Sequence, residues 1–390
     1  MQRWKLSRKA AQRIEAGQVW VYRGEFQQEL TPETLEEVLL VDERGRLLGS
    51  ALVDGSSPVP VRLYSRREQS FDGPFLQQRI EAAVAWRRLV VGKGNTGYRL
   101  VFGESDGLPG LIVDRFGDSI AIQVNLRNYV KVIAEIVSGL IASFGGLSDS
   151  AVIVVEENGV RRLVSGTAEN AIAFYRLNDL LFEADLLGGP KTGAFLDQRE
   201  NYLATALWAE RLELEGRALD LFSSSGGFAL HLSSRLNSID AVDSSQSAVA
   251  RIQKNAVHNG IENVRAIESD VKQFLRGLGQ ARRRYECVIA DPPAFAKQTR
   301  QKEEATRAYY ELNLRALSAV APSGLFVSCS CSKVITEQNF ITILREACQE
   351  SRKSLTLLEK RGQAIDHREI LEIPESSYLK CLLFRVSSLQ

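Results

Sequence analysis

The chain is 390 residues long, 44% hydrophobic and 25% charged, with 49 Lys and Arg against 48 Asp and Glu and a net charge of +1. This is an ordinary globular composition in a chain longer than one core usually serves, so two or three domains are expected, and the balanced charge alone advertises no nucleic acid. Five cysteines with one Cys-x-Cys pair, and three separated histidines (His231, His258, His367), suit neither a disulfide framework nor a metal site, and the apolar runs at 151–155 and 324–327 are too short to cross a bilayer.

From the N-terminus, residues 1–5 lead into no signal-peptide core, so a soluble, cytoplasmic protein with reduced thiols is expected. Arg3, Lys5, Arg8, Lys9 and Arg13 crowd this end, and Arg282-Arg283-Arg284 form a second basic run. Such runs are most often solvated faces; the functional alternative is contact with phosphates. Across 38–64, short β-rich runs (38–41, 47–52, 59–64) are separated by Gly45, Gly49 and Gly55-Ser56-Ser57, which predicts a small barrel. After Asp72-Gly73-Pro74, the positions Leu76, Ile80, Ala83, Val84 and Arg87 recur at helical spacing, and strands are expected at 98–102, 111–113 and 120–124. The expected organisation is a barrel domain over 1–70, a middle α/β domain over 71–187 and a third domain over 188–390.

Beyond Gly188-Gly189, apolar runs at 218–222, 239–242, 287–290 and 325–328 alternate with helical segments. That alternation predicts α/β architecture with a Rossmann-like, mainly parallel, doubly wound sheet. Runs near 355–358 and 379–386, with Pro374 between them, suggest a closing hairpin.

Ligands of such sheets bind at the carboxyl ends of the strands. The first carries Asp220-Leu221-Phe222-Ser223-Ser224-Ser225-Gly226-Gly227-Phe228, a small-residue turn leading into a helix. Its glycines are not spaced as a dinucleotide fingerprint, and no lysine follows to hold phosphates, so a cofactor without phosphate fits better. Asp243-Ser244 ends the next strand, where a carboxylate can take ribose hydroxyls, and Glu268-Ser269-Asp270 ends a third. Acidic residues at three successive strand ends suit an adenosyl group and a cationic sulfonium. The blander assignment is that Asp220 caps a helix and Asp243 sits in a turn.

Asp291-Pro292-Pro293-Ala294-Phe295 follows the strand at 287–290, and its two prolines make a rigid turn whose carbonyls can face a planar base, with an aromatic to stack on it. Alone, this turn suits methyl transfer to an exocyclic amine as well as to a ring carbon. Val327-Ser328-Cys329-Ser330-Cys331-Ser332 then places two thiols at the end of the next strand. Carbon 5 of cytosine becomes nucleophilic once a thiolate adds to carbon 6, so that reaction needs a cysteine where amine methylation does not. A free cysteine is more often a buried small hydrophobe, but the position beside the proposed pocket favours catalysis.

With these residues in place, the chain resembles the ribosomal RNA large subunit methyltransferase I family over nearly its whole length. The resemblance is carried by Arg99-Leu100-Val101, by Gly103-Glu104-Ser105-Asp106-Gly107-Leu108-Pro109-Gly110-Leu111-Ile112-Val113-Asp114-Arg115, and by Lys191-Thr192-Gly193-Ala194-Phe195-Leu196-Asp197-Gln198-Arg199-Glu200-Asn201. The turns at 220–228 and 291–295, then Tyr310-Glu311-Leu312-Asn313, Ser330-Cys331-Ser332 and Tyr378-Leu379-Lys380, follow in the family's order. The resemblance implies an N-terminal RNA-binding PUA domain, a middle domain and an S-adenosylmethionine-dependent methyltransferase domain acting on cytosine carbon 5 of large-subunit rRNA. It selects Cys331 as nucleophile, with Cys329 its neighbour. Expected with it are Asp291 in catalysis, Pro292, Pro293 and Phe295 against the base, and Asp197 and Gln198 joining the strand-end residues around the cofactor. No metal and no membrane partner are expected, and a homodimer is left open. Three stretches depart from the family: Gln18-Val19-Trp20, Val53-Asp54-Gly55-Ser56, and Arg368 after Asp366-His367.

Two other functions compete. A methyltransferase acting on an exocyclic amine would use Asp291 to Phe295 with Cys331 a bystander. An inactive PUA-containing RNA-binding assembly protein would not need Asp220, Asp243, Asp291 and Cys331 together.

Overall fold

The β-rich runs of the first third pair as their spacing requires. Leu35–Val41 lies antiparallel to Leu47–Asp54, and that strand to Val61–Ser65, with Val38, Leu40, Ala51, Val53, Val61 and Leu63 in one core. Gln2–Lys5 and Trp20–Val21 form the edges of this five-stranded sheet. The basic N-terminal stretch is divided between the edge strand and the helix Arg8–Glu15, which Ser7 caps. This computed structural model describes residues 1–144, 152–156, 159–281, 283–296 and 298–388, so Ala151 and Arg282 of the runs noted above lie outside the described residues.

Asp72 caps the helix Gly73–Val90, accepting from Phe75 N at 3.0 Å, with Pro74 in its first turn. The periodic face Leu76, Ile80, Ala83 and Val84 is buried as predicted. Arg87 on the same face is 1% exposed and forms a two-pronged ion pair with Asp106 at 2.7 and 2.8 Å. The helix packs with Ile133–Phe144 on a second five-stranded sheet, ordered Arg161–Ser165, Val152–Val155, Ser119–Val124, Leu111–Phe116 and Gly97–Phe102.

Two compact units result: Met1–Arg176 with Ala184–Leu196 and Ile365–Ser376, and Leu177–Glu183 with Asp197–Ala364 and Ser377–Gln390. The second is a Rossmann-like, doubly wound sheet. Its strands are β1 (Arg217–Leu221), β2 (Ser238–Asp243), β3 (Val264–Glu268), β4 (Tyr285–Ala290), β5 (Val320–Ser330), β6 (Lys353–Arg361) and β7 (Lys380–Ser388), in the order β3-β2-β1-β4-β5-β7-β6. The first five are parallel, and β6 and β7 close the sheet as the antiparallel pair the sequence suggests. Its helices are α1 (Arg199–Arg211), α2 (Gly227–Leu232), α3 (Gln246–His258), α4 (Val271–Ala281), α5 (Lys302–Ala319) and α6 (Glu337–Glu350). Val242, Val288 and Phe326 of the sheet pack with Leu275, Tyr309 and Phe340 of the helices. Strand order reverses between β1 and β4, which opens a crevice at their carboxyl ends. Among the described residues, no helix is long and apolar enough to cross a membrane.

Candidate active site at the carboxyl edge of the sheet

The turn after β1 is wound tightly: Phe222, Ser224 and Gly226 have φ of 62°, 54° and 86°. Left-handed backbone costs a non-glycine residue roughly 1–2 kcal/mol, so the surroundings must hold the turn. They do so through Ser223 N donating to Val242 O at 3.1 Å, Ser224 N to Asp243 Oδ2 at 3.0 Å, and Asn255 Nδ2 to Ser225 O at 2.9 Å. Asp220, 1% exposed, accepts from Ser223 Oγ at 2.5 Å and Ala229 N at 3.1 Å. Burial, with the Asp243 charge adding to it, pushes the Asp220 carboxyl up to about 7. A Cβ on Gly227 would meet the Tyr202 ring at 2.2 Å, and Phe228 packs edge-on against that ring at 4.7 Å. Tyr202 thus requires the glycine that starts α2.

Asp243 is half-buried at the end of β2, its Oδ1 accepting from Ser245 N at 2.9 Å, and Ser244 beside it is exposed. Asp270 is exposed and accepts from Gln273 N at 2.9 Å, capping the start of α4. The structural duties of Asp220 and Asp243 are therefore real, Asp270 has one as well, and the three stand at the carboxyl ends of adjacent strands.

Next along the edge, Asp291 is half-buried, Pro292 buried and Pro293 exposed. Phe295 lies 4.7 Å from the ring of Tyr309, whose Oη lies 2.9 Å from Ser332 Oγ; Ser332 Oγ also accepts from Ala296 N at 3.3 Å. The proline turn and the segment after β5 are thereby pinned together through Ser332. Strands β4 and β5 are neighbours, with Ala290 opposite Ser328, so Asp291 and Cys331 follow adjacent strands. The two thiols differ in surroundings. Cys331 is partly exposed, whereas Cys329 is fully buried opposite Cys381, and burial holds its thiol well above the ordinary range.

Lys380 was not singled out by sequence reasoning beyond its place in Tyr378-Leu379-Lys380. It sits opposite Ser330 at the start of β7, its Nζ donating to Ser332 O at 2.8 Å and Tyr378 O at 3.0 Å. Burial lowers its ammonium to about 8, opposed by the charge of Cys331. The available signal was a lysine at the head of the apolar run 379–386. Asp197 and Gln198 precede α1 and fall on this side of the edge, not in the turn after β1: Asp197 accepts from Tyr378 Oη at 2.7 Å. Gln198 is 3% exposed, and its Oε1 accepts from Asn201 Nδ2 at 2.6 Å. Among the described residues, no group of three or more His, Cys, Asp and Glu side chains is placed to hold a metal.

Residues 5–66 match the family model described as a PUA-like domain, and residues 215–318 match the one described as RNA cap guanine-N2 methyltransferase. The chain is 30% identical over 379 residues to the ribosomal RNA large subunit methyltransferase I of Klebsiella pneumoniae subsp. pneumoniae, covering 94% of each chain. It is 30% identical to the protein of that name in Citrobacter koseri, covering 94% of this chain and 95% of the relative. A Streptococcus mutans protein described as a SAM-dependent methyltransferase superposes with a TM-score of 0.86 at 18% identity, over 99% of this chain and 100% of that one. A methyltransferase complexed with SAH superposes with a TM-score of 0.87 at 18% identity, over the same shares of the two chains. At that identity the likeness is one of fold.

Proposed function

Because this chain belongs to the ribosomal RNA large subunit methyltransferase I family, we propose that it methylates carbon 5 of a cytosine in large-subunit rRNA, with Cys331 as covalent nucleophile. It is an S-adenosylmethionine-dependent RNA methyltransferase. In this reading residues 1–70 are the RNA-binding PUA-like domain, 71–187 a middle domain and 188–390 the catalytic domain, and the enzyme works in the cytoplasm.

The donor set at the edge suits the cofactor. Carboxylates at the ends of successive strands match ribose hydroxyls and a sulfonium cation, and the buried side chain of Gln198 bears on the Cys329 thiol at the same edge. Asp243 and Ser244 would hold the ribose, with Asp270 toward the adenine. The backbone of Phe222, Ser223, Ser225, Gly226, Gly227 and Phe228 would line the rest, kept in shape by Asp220, and Asp197 and Gln198 would close the side nearest Cys331. When bound, S-adenosylmethionine supplies an electrophilic methyl group.

The observation that carries the nucleophile is the partial exposure of Cys331 just past the end of β5, next to the strand that Asp291 follows, with Cys329 buried. The target base must leave its stack to reach this edge. Cys331 adds as thiolate to carbon 6, forming a carbon–sulfur bond and making carbon 5 nucleophilic. Asp291, sharing a proton with the ring nitrogen, draws electron density as the bond forms, and Pro292, Pro293 and Phe295 frame the base. Lys380 stabilises the thiolate. After carbon 5 is methylated, loss of its proton expels Cys331.

RNA containing 5-fluorocytosine at the target blocks that proton loss. The expected result is a covalent protein–RNA adduct with the wild type and with Cys329→Ala, and none with Cys331→Ala. Normal methylation by Cys331→Ala would sink the covalent reading. A second reading, methylation of an exocyclic amine, is favoured by the guanine-N2 model, whose match at 215–318 contains the Asp291 turn and ends before Cys331. Nucleoside analysis of the product separates the two: 5-methylcytidine supports the first, an N-methylated nucleoside the second.

A further inference from the structure

At the opposite edge of the same sheet a cavity of about 820 Å³ is lined by Arg276, Arg283, Arg284, Arg315 and Arg352, with Glu350 the one acidic lining residue. It lies where α4, α5 and α6 end and where β4, β5 and β6 begin. In a chain with 49 basic and 48 acidic residues, five arginines against one glutamate is a strong local excess. Arg283 stands 3.7 Å from Asp240, and Arg284 donates to Arg283 O at 3.2 Å. Arg276, Arg284, Arg315 and Arg352 are exposed, and among the described residues none of the four has a carboxylate within 4.0 Å. Glu350 is engaged by the Tyr310 hydroxyl.

None of α4, α5 and α6 carries a basic residue in its last turn, so compensation of the helix dipoles does not account for the guanidinium groups around this cavity. Lys353 at the head of β6 registers the same field: burial and then the Arg284 charge lower its ammonium to about 8, while Nζ donates to Leu317 O and Val320 O. Guanidinium forks match phosphate oxygens in pairs, whereas an exposed lysine acts as a point charge.

We propose that this arginine-lined cavity binds the phosphate backbone of the RNA substrate, as a contact remote from the edge that carries Cys331. The inference rests on the RNA methyltransferase reading but not on the identity of the nucleophile. The six residues of β4 span roughly 20 Å, so the RNA held here is a different stretch from the one that presents its base. Phosphate contacts position an RNA without reading its sequence, so the cavity acts on affinity and not on the chemical step.

The test is a full-length triple variant, Arg276→Ala, Arg315→Ala and Arg352→Asn, the last chosen because Arg352 has a φ of 54°, which asparagine tolerates. Binding of a large-subunit rRNA fragment is measured across a salt series, alongside binding of inorganic pyrophosphate. The expected result is at least tenfold weaker RNA binding at low salt. The slope of log K against log salt should be shallower by about 0.7–0.9 per lost phosphate contact. The kcat at saturating RNA and the affinity for S-adenosylmethionine should not change. RNA affinity and slope equal to wild type overturn the proposal, as does loss of pyrophosphate binding with RNA binding intact, which would mark a small-anion site. Cys331→Ala, assayed beside it, should keep the wild-type slope, so a wrong nucleophile and a wrong RNA surface give different results.

Discussion

Lys380 and Cys331 act on each other's ionisation: burial lowers the ammonium to about 8, and negative charge on Cys331 opposes that loss. Two carbonyl acceptors, Ser332 O at 2.8 Å and Tyr378 O at 3.0 Å, hold the ammonium in place. By reciprocity the ammonium favours the thiolate. The lysine is charged below about pH 8, so its assistance is present there and fades as pH rises through that value.

Lys380→Met keeps much of the apolar stem and removes the charge. The pH midpoint for alkylation of Cys331, followed by mass spectrometry of that peptide, should rise. The methylation rate at neutral pH should fall by about tenfold per pKa unit of that rise. Lys380→Arg should restore part of both. An alkylation profile identical to wild type would make the lysine a packing residue only.

Asp243→Ala should weaken S-adenosylmethionine binding at least tenfold by calorimetry, since each lost charge-assisted hydrogen bond costs roughly 1.5–3 kcal/mol. The same carboxylate braces Ser224 N at 3.0 Å, so Asp243→Asn, which keeps one acceptor, should lose less. Equal affinity in wild type and Asp243→Ala would remove the ribose assignment.

Asp220 sets a pH dependence of stability. Its carboxyl is raised from 3.8 to about 7 in the fold, mainly by burial, so the folded state holds a proton that the unfolded chain has released. Its contribution is fully present below about pH 4 and is lost as pH rises to about 7. Cofactor-free Asp220→Asn, compared with wild type in urea melts across this window, should lack that decline. Parallel curves for the two proteins would contradict it.

In the first unit, Arg87 and Asp106 are each 1% exposed at the side chain, and Asp106 also accepts from Phe102 N at 2.7 Å and Arg368 Nη1 at 3.0 Å. Asp106→Leu leaves a buried guanidinium without its carboxylate and should destabilise the fold by about 3–5 kcal/mol in denaturant titration. Adding Arg87→Met should recover much of the loss. A single variant as stable as wild type would show that water reaches the pair.

Arg3, Arg8 and Lys9 are exposed, whereas Arg13 is bound to Glu25 at 2.5 Å and to Trp20 O at 2.9 Å. Replacing the three exposed residues by alanine should weaken rRNA binding and flatten its salt dependence, while leaving kcat intact at saturating RNA. Deleting residues 1–71 is a poorer test, because Leu52 and Tyr64 share a core with Phe75 and Leu76. Unchanged RNA affinity in the alanine variant would show that this stretch is a solvated face.

Local and periodic features were legible in the sequence. Apolar alternation and glycine punctuation marked the strands at 38–41, 47–52 and 120–124, and helical spacing marked Gly73–Val90, because these patterns reflect which side of an element meets a core. The strand–helix rhythm after residue 188 determined the doubly wound sheet, and the small-residue and proline turns marked its carboxyl edge. What depends on residues distant in the chain was decided by tertiary structure. Spacing alone could not separate Cys329 from Cys331: the first is closed off by β7, which arrives some fifty residues later with Cys381, while the second lies just past the strand end. The partner of Arg87, the seat of Lys380 beside Ser332 and the gathering of five arginines at three helix ends follow from the same cause. Charge and burial at a point are sums over every element that packs there, and a linear sequence orders its residues by bond, not by distance.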